Sequence, residues 1–281
     1  MKPRNPFFRK ASDFSIKILS FFASFLGIFF LAWILYEVGK RGIAAINWQF
    51  FTALPAPPGV EGGGLASAIL GTLAITTLAA LIGVPLGILG GIYLSEIGRN
   101  NKLSQAIRFC SNVLMGVPSI IIGLFVYSIL VLPTGRFSGF AGAVSLAVII
   151  LPVVAGTADD MLKLVPNALR ESALALGAPK WKVTFTVVFR AARAGIVTGV
   201  LLAVARVSGE TAPLLFTALN SPYWPTSLVK PTSNLTVTIF NYAMSPYSDW
   251  QTAAWGASLL IMVSVLSATL ITRALTKDKM R

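Results

Sequence analysis

The chain has 281 residues, of which 55% are hydrophobic and 12% are charged, and its mean hydropathy is +0.76. Such a composition is typical of an integral membrane protein. The absence of histidine excludes Ser-His-Asp and Cys-His catalysis, and the single cysteine, Cys110, excludes an intramolecular disulfide. No G-x-x-x-x-G-K-S/T motif is present, so the chain has no P-loop for ATP. We therefore expect no catalytic residue, metal site or bound cofactor in this chain.

Six apolar segments approach or exceed the ~18 to 20 residues that cross ~30 Å of hydrocarbon. They predict an all-α membrane protein with six transmembrane helices, at Phe14–Val38, Leu65–Leu94, Val113–Leu132, Phe140–Ala158, Gly195–Leu219 and Ala253–Leu275. The first segment is too long for a conventional signal peptide, and no small-residue cleavage site follows it. It is therefore expected to remain as a helix.

The positions of the 23 basic residues, rather than their excess over ten acidic ones, indicate what they do. With the amino terminus inside, 18 of them fall on the inner side of the six spans and four fall outside, at Lys40, Arg41, Arg136 and Lys230. This asymmetry follows the positive-inside rule and argues against a nucleic-acid partner. It predicts that both termini and residues 159–193 are cytoplasmic, while 39–64 and 220–252 face outward.

Three parts follow along the chain. Residues 1–64 hold the amino-terminal tail, the first span and an outer loop whose Pro- and Gly-rich run, Leu54–Gly64, resembles a linker. Residues 65–275 form the membrane core, and 276–281 form a cytoplasmic tail. The longest polar stretches have roughly 35 residues each, too few for a catalytic domain.

The polar stretch Asn220–Thr252 contains an apolar run, Leu235–Met244, that is long enough for a short helix but too short to span the membrane. We interpret it as an interfacial or re-entrant element. On the second span, Gly83, Gly87 and Gly91 form overlapping GxxxG patterns, which predict close helix packing. A hinge at the intervening Pro85 is the alternative.

The inner stretch "LVPNALRESALALGAPKWKVTFTVVF" at 164–189 predicts two short helices joined by a corner. Pro166 suits a first helical turn, Gly177 is the permissive residue that ends the helix, and Pro179 can start the next one. An amphipathic helix that lies on the membrane surface would show the same periodicity.

The residue types in this stretch resemble the EAA loop of ABC importer permeases, whose short helix docks into the ATPase subunit. Glu171, Ala173 and Gly177 match that motif, and Ser172 stands where a second alanine is usual. Arg190 replaces the usual proline further on, which leaves open the helix geometry at the start of the fifth span. The resemblance implies that the residues coupling to the ATPase are Arg170, Glu171, Ala173, Leu176 and Gly177.

A more specific resemblance covers about residues 65–275. The strings "ALALGAPKWK", "GVLLAVARVSGETAPLLFTAL", "GVPSIIIGLF" and "NYAMSPYSDWQTAAW" are similar to the PstA-type permeases of phosphate ABC importers. This resemblance implies a type I ABC permease fold in a bacterial inner membrane. It also implies a PstC-type sister permease, an extracytoplasmic phosphate-binding protein, and two ATPase subunits that carry the ATP and Mg.

The fifth predicted span carries two charges, Arg206 and Glu210. Centring an arginine in hydrocarbon costs at least ~2.5 kcal/mol, so such a residue is a functional hypothesis by default. Counted from Gly195 at 1.5 Å per residue, Arg206 lies ~17 Å into the span, near mid-depth. An ion pair between the two, one helical turn apart, that only ties helices together is the structural alternative.

A helix break is predicted beside these charges, because Pro213 cannot donate to the carbonyl of Gly209. Broken helices at membrane depth usually line a pathway, and a guanidinium there can hold phosphate bidentately. The predicted pathway residues are Arg206, Ser208, Glu210 and Thr211, and the predicted break lies at Gly209 and Pro213.

Other functions fit parts of this pattern. A proton-coupled secondary transporter could use Arg206 and Glu210 as a relay, but it would not need the EAA-like loop. A permease for another oxyanion would share the same features. A structural scaffold would not need the polar break.

Overall fold

The computed structural model describes residues 6–60, 62–99 and 101–277, and these ranges contain helices but no strand. Residues 1–5 and 278–281, which belong to the predicted terminal tails, lie outside the described residues. The helices are α1 Pro6–Ile43, α2 Trp48–Thr52, α3 Ala66–Ile97, α4 Lys102–Gly116, α5 Ser119–Thr134, α6 Gly139–Lys163, α7 Asn167–Ala175, α8 Lys180–Val207, α9 Ala212–Leu215, α10 Leu235–Ala243 and α11 Ser248–Lys277. The predicted all-α fold is confirmed.

Five of these helices are long and apolar enough to cross a membrane, namely α1, α3, α6, α8 and α11. The bent pair of α4 and α5 supplies a sixth span if the two are taken together. α7 lies at one end of the bundle, which we call the inner end. α2 and the loops that precede α3, α6 and α11 lie at the other, outer end.

The third span differs from the prediction of Val113–Leu132. Residues 113–116 belong to α4, which meets α5 at 105°. Val117 is extended, with φ −71° and ψ 132°, because the ring of Pro118 disfavours a helical conformation in the residue before it. Hydropathy continues across this bend and does not detect it, so the predicted span combines the end of α4 with most of α5.

The fifth span also differs from the prediction of Gly195–Leu219. α8 begins at Lys180, passes through a π-helical turn at Val183–Val188, and ends at Val207. The short helix predicted to start at Pro179 is therefore not separate from the fifth span but continues into it as one helix. Arg190, which stands where a proline is usual, lies within this continuous helix, so the substitution does not interrupt the span.

The most extensive seam between described helices joins α3 to α6. All three predicted glycines of α3 lie on it, and an added Cβ at Gly87 would lie 2.8 Å from Cβ of Val154. Close helix packing is therefore confirmed, and α3 continues as a helix through Pro85. About two-thirds of the most apolar 18-residue stretch of α6 is buried, so α6 forms the centre of the core.

Candidate functional site

The predicted helix break is present in the structure. α8 ends at Val207, and α9 starts at Ala212 with Pro213 in its first turn. The hydroxyl of Ser208 donates to the carbonyl of Ala205 at 2.7 Å and so caps the last turn of α8. The chain between the two helices is irregular, as the Gly209 and Pro213 spacing predicts.

The depth of the break is set by α10, which packs beside it. Thr236 Oγ1 donates to the carbonyl of Glu210 at 2.8 Å, and the neighbouring Leu235 N–H donates to Thr72 Oγ1 at 2.8 Å. Thr72 lies six residues, or ~9 Å, from the outer start of α3. The break is therefore in the outer half of the bundle. Arg206 lies about one turn deeper than Glu210, and its predicted position near mid-membrane stays a prediction.

Arg206 lies in the last turn of α8 with its side chain exposed. Among the residues that the structure describes, its guanidinium has no hydrogen bond and no ion pair. Leu202 and Gly209 are exposed on the same face, four residues before it and three after it. This face of α8 is therefore not covered by any part of the chain that the structure describes.

The alternative interpretation, a tie between Arg206 and Glu210, is not formed. The four salt bridges within the described ranges all lie elsewhere. Glu210 follows the end of the helix, so the spacing of four residues no longer places the two side chains together. Its side chain is half-buried beside the break.

The other predicted pathway residues are not all on this face. Ser208 lies two residues from Arg206, nearly opposite on the helix, and lines an apolar groove of about 610 Å³ between α3, α8 and α11. Thr211 is half-buried at the start of α9, and Pro213 is buried. Arg206, Gly209 and Glu210 therefore form the candidate site, with Thr211 next to it, and Ser208 is separated from them.

Two glycines that were not predicted as site residues allow the break to pack. A Cβ at Gly123 of α5 would lie 2.6 Å from Cα of Pro213, and a Cβ at Gly71 of α3 would collide with the carbonyl oxygen of Ser233. Neither close approach has a signal in local sequence, because the partner segment is distant along the chain.

The predicted short element at 235–244 is α10, which is re-entrant. The chain runs from the break to the outer end, where the backbone carbonyl of Lys230 accepts from the Gly139 N–H, and then returns to the depth of Thr72. The side chain of Asn234 caps α10 by accepting from the Val237 N–H at 2.9 Å. Burial raises the pKa of the Tyr242 phenol at the other end of α10 above its usual range.

The corner that ends α7 has the predicted geometry. Gly177 has φ +80°, and its N–H donates to the Leu174 carbonyl at 2.9 Å. The Ala178 N–H donates to the Ala173 carbonyl at 3.3 Å, which completes a Schellman motif. Leu176, just before the corner, is 89% exposed and forms an uncovered apolar surface.

The predicted coupling residues divide between two sides of α7. Glu171, Leu176 and Gly177 are exposed, whereas Ala173 is half-buried and Arg170 is buried. Arg170 binds Glu96 and the carbonyls of Leu162 and Val165 at and just after the end of α6, so it cannot present its charge to a partner. Its predicted contact with an ATPase is therefore replaced by a role in positioning α7.

A second group of charges at the inner end was not predicted. Arg108 of α4 donates to both carboxylate oxygens of Asp159 at 2.9 and 3.1 Å, and Lys163 donates to Asp159 at 2.6 Å. The spacing of four residues between Asp159 and Lys163 on α6 could have indicated the second contact. No local signal could have indicated the first.

Comparison with known proteins identifies the family to which the chain is similar. The sequence profile of the family described as "binding-protein-dependent transport system inner membrane component" matches residues 83–281. The phosphate transport system permease protein PstA of Yersinia pestis is 46% identical over 262 residues, which cover 93% of this chain and 89% of that protein. The protein of the same name from Haemophilus influenzae is 46% identical over 274 residues, with 97% and 96% covered.

Two solved structures share the fold. An inward-facing MetNI methionine ABC transporter aligns with a TM-score of 0.64 and 20% identity, covering 76% of this chain and 95% of that chain. A bacterial alginate ABC transporter, in complex with an alginate-bound periplasmic protein, aligns with a TM-score of 0.63 and 16% identity, covering 95% and 96%.

Proposed function

The chain belongs to the binding-protein-dependent transport system inner membrane components, and within them to the PstA-type permeases, and from this premise we propose how it moves phosphate. It is a permease subunit of an ABC phosphate importer and lies in the inner membrane. We propose that the face of α8 around Arg206 is this subunit's half of the translocation pathway. The observation that carries the proposal is an arginine at a helix break that has no hydrogen-bond or ion-pair partner among the described residues and lies on a face that these residues leave open.

The chemistry of phosphate fits this arrangement. A guanidinium is planar, always charged, and can donate two parallel hydrogen bonds to phosphate oxygens. Arg206 would supply that fork in the outer half of the bundle, and Thr211 would offer a hydroxyl nearby. The carboxylate of Glu210 weakens anion binding, which suits an ion that must also leave.

The partners follow from the ABC importer assignment. Such an importer works with an ATPase and a binding protein. We propose specifically a PstC-type sister permease across the Arg206 face, an extracytoplasmic phosphate-binding protein at the outer end, and two ATPase subunits that carry ATP and Mg. The exposed apolar surface at Leu176 supports docking of one ATPase on α7.

The orientation of the chain is part of the proposal and rests on the distribution of 18 inner and four outer basic residues. Both termini are then cytoplasmic, and so is the corner at Pro179. An impermeant thiol reagent should leave a cysteine at position 179 unlabelled in intact cells. Labelling of this cysteine would show that the orientation of the chain is the reverse of the proposed one.

Reconstituted vesicles test the function directly. The complete complex should import labelled phosphate only with ATP inside and binding protein outside, and excess unlabelled phosphate should compete better than sulfate. Uptake driven by a proton gradient without ATP would support the secondary-transporter alternative. Stronger competition by another oxyanion would identify a different substrate.

A further inference from the structure

An ion pair at the inner end holds α7 against α3. The carboxylate of Glu96 lies in the π-helical turn Tyr93–Ile97 that ends α3, and the guanidinium of Arg170 lies on α7. Nη2 and Nε of Arg170 donate to the two carboxylate oxygens at 2.7 and 3.2 Å. The side chains are only 10% and 11% exposed. A bidentate pair in this environment fixes both the separation and the orientation of the two segments.

The remaining N–H groups of Arg170 are occupied as well. Nη1 donates to the carbonyl of Val165 and to Oδ1 of Asn167, and Nη2 donates to the carbonyl of Leu162. A guanidinium has five N–H donors, and here each of them has an acceptor. Arg170 therefore joins α7 to the end of α6 as well as to α3. Of its contacts, only that with Glu96 reaches α3.

The same π-helical turn is held from a second side. Arg108 of α4 donates from Nη2 to the carbonyl of Leu94 at 2.7 Å while it binds Asp159 of α6. π-helical turns are rare and frequently occur at functional sites. The ends of α3 and α6 thus meet α4 and α7 around one irregular turn, and a displacement of α7 would act on all of them.

A contiguous route leads from this turn to the break. α4 continues through the bend at Pro118 into α5, and α5 packs against α9 where Gly123 meets Pro213. A second connection follows the chain itself, through the corner at Gly177 into α8. The two routes differ in one respect, since only the first passes through Glu96.

We propose that the ion pair between Glu96 and Arg170 transmits displacement of α7 to α3 and α4, and so links ATP hydrolysis on the partner to opening at Arg206. Glu96 and Arg170 are positioning residues in this scheme, because neither touches the transported ion. The proposal rests on the proposed function, since it requires that an ATPase docks on α7.

Glu96→Gln is the deciding variant, because it removes the charge that binds Arg170 and leaves the contacts of Arg170 with α6. In vesicles containing the whole importer, the variant should assemble with its ATPase and still hydrolyse ATP. The number of phosphate ions moved per ATP should fall about tenfold, within the range typical of coupling between distant sites. Arg99→Gln is the matched control. It removes an exposed 3.4 Å contact with Asn167 of α7 and should keep the wild-type ratio.

A purely structural ion pair predicts a different result: a lower melting temperature and yield, with an unchanged ratio in the complexes that do assemble. A wild-type ratio in Glu96→Gln therefore overturns the proposal. If this variant does not assemble, Glu96→Asp replaces it, because it keeps the charge but shortens the side chain by one methylene. An intermediate ratio is then expected, and a wild-type ratio overturns the proposal.

The wild-type control separates this proposal from the proposed function. If the wild-type complex imports no phosphate, the proposed function fails, whatever the variants do. If the wild type imports phosphate and Glu96→Gln is equally well coupled, only the role of the ion pair fails.

Discussion

Arg170 at the inner end and Arg206 at the break have opposite surroundings. Each N–H of the Arg170 guanidinium has an acceptor within the chain, and the residue is buried. Arg206 is exposed and has no hydrogen-bond or ion-pair partner in the described ranges. An arginine with all its donors used therefore holds the structure together. One with its donors free in a membrane protein is available to an ion.

Of the variants described here, Arg206→Gln should have the largest effect on phosphate transport. Hydrogen bonds to charged groups contribute roughly 1.5 to 3 kcal/mol each, so losing a bidentate pair should lower phosphate uptake by roughly 100-fold. The melting temperature and the assembly of the complex should not change, because Arg206 holds nothing within the chain. Uptake in vesicles and thermal melting in detergent measure the two effects.

Two controls sharpen that test. Arg206→Lys should retain part of the uptake, because it keeps the charge but loses the planar fork. The double change Arg206→Gln with Glu210→Gln should assemble normally and still fail to transport. If the neutral pair restores transport, the two charges are a structural tie after all.

Asp159→Asn should show the opposite pattern at the inner end. Removing one partner of a buried ion pair costs about 3 kcal/mol, because Arg108 loses its carboxylate partner. The melting temperature of the purified chain should fall by several degrees. Lys163→Gln is the control, since Lys163 is 40% exposed, and its effect should be much smaller. Equal melting temperatures for the two variants would contradict this account.

Gly123→Ala tests the packing that supports the break. The added methyl group would press on Pro213, and overpacking of this kind costs typically ~1 to 3 kcal/mol. Uptake should fall together with the melting temperature. Gly156→Ala on α6 places a methyl group where no atom lies within 4 Å, and it should leave both unchanged or raise stability slightly.

Gly177→Val should have a small effect on stability and a selective effect on coupling. A residue with a Cβ pays ~1 to 2 kcal/mol in the left-handed conformation that Gly177 adopts, so the corner should deform while the membrane helices stay intact. Phosphate moved per ATP should decrease. Gly177→Asn should retain more coupling, because Asn tolerates this conformation. Wild-type transport by a well-expressed, ATPase-bound Gly177→Val would refute the role of the corner.

The parts of the fold that were predictable from sequence are those with local causes. Apolar runs identified α1, α3, α6 and α11 to within several residues, because a helix that crosses the membrane must be apolar along most of its length. The bend at Pro118 was missed, and the helix predicted to start at Pro179 was not joined to the fifth span, since hydropathy reports neither a backbone bend nor a helix that continues through basic residues.

The candidate site divides in the same way. The break was predictable because Gly209 and Pro213 act on their own neighbours in the chain. Its depth was not, because Thr236 and Thr72 fix it from distant parts of the chain. The inward orientation of Arg170 likewise depends on Glu96, whose pairing has no signal in a motif that only describes the loop itself.

α1 has a consequence for the order of events during synthesis. None of the most apolar 18-residue stretch of α1 is buried against other described residues. Near the outer end of α1, the guanidinium of Arg41 lies 5.1 Å from the centre of the Trp255 ring in α11. That ring is made about 210 residues later, which at ~5 to 20 residues per second is a delay of roughly 10 to 40 seconds. Throughout this interval α1 must reside in the bilayer as a lone helix, held there by lipid before its partner on this chain exists.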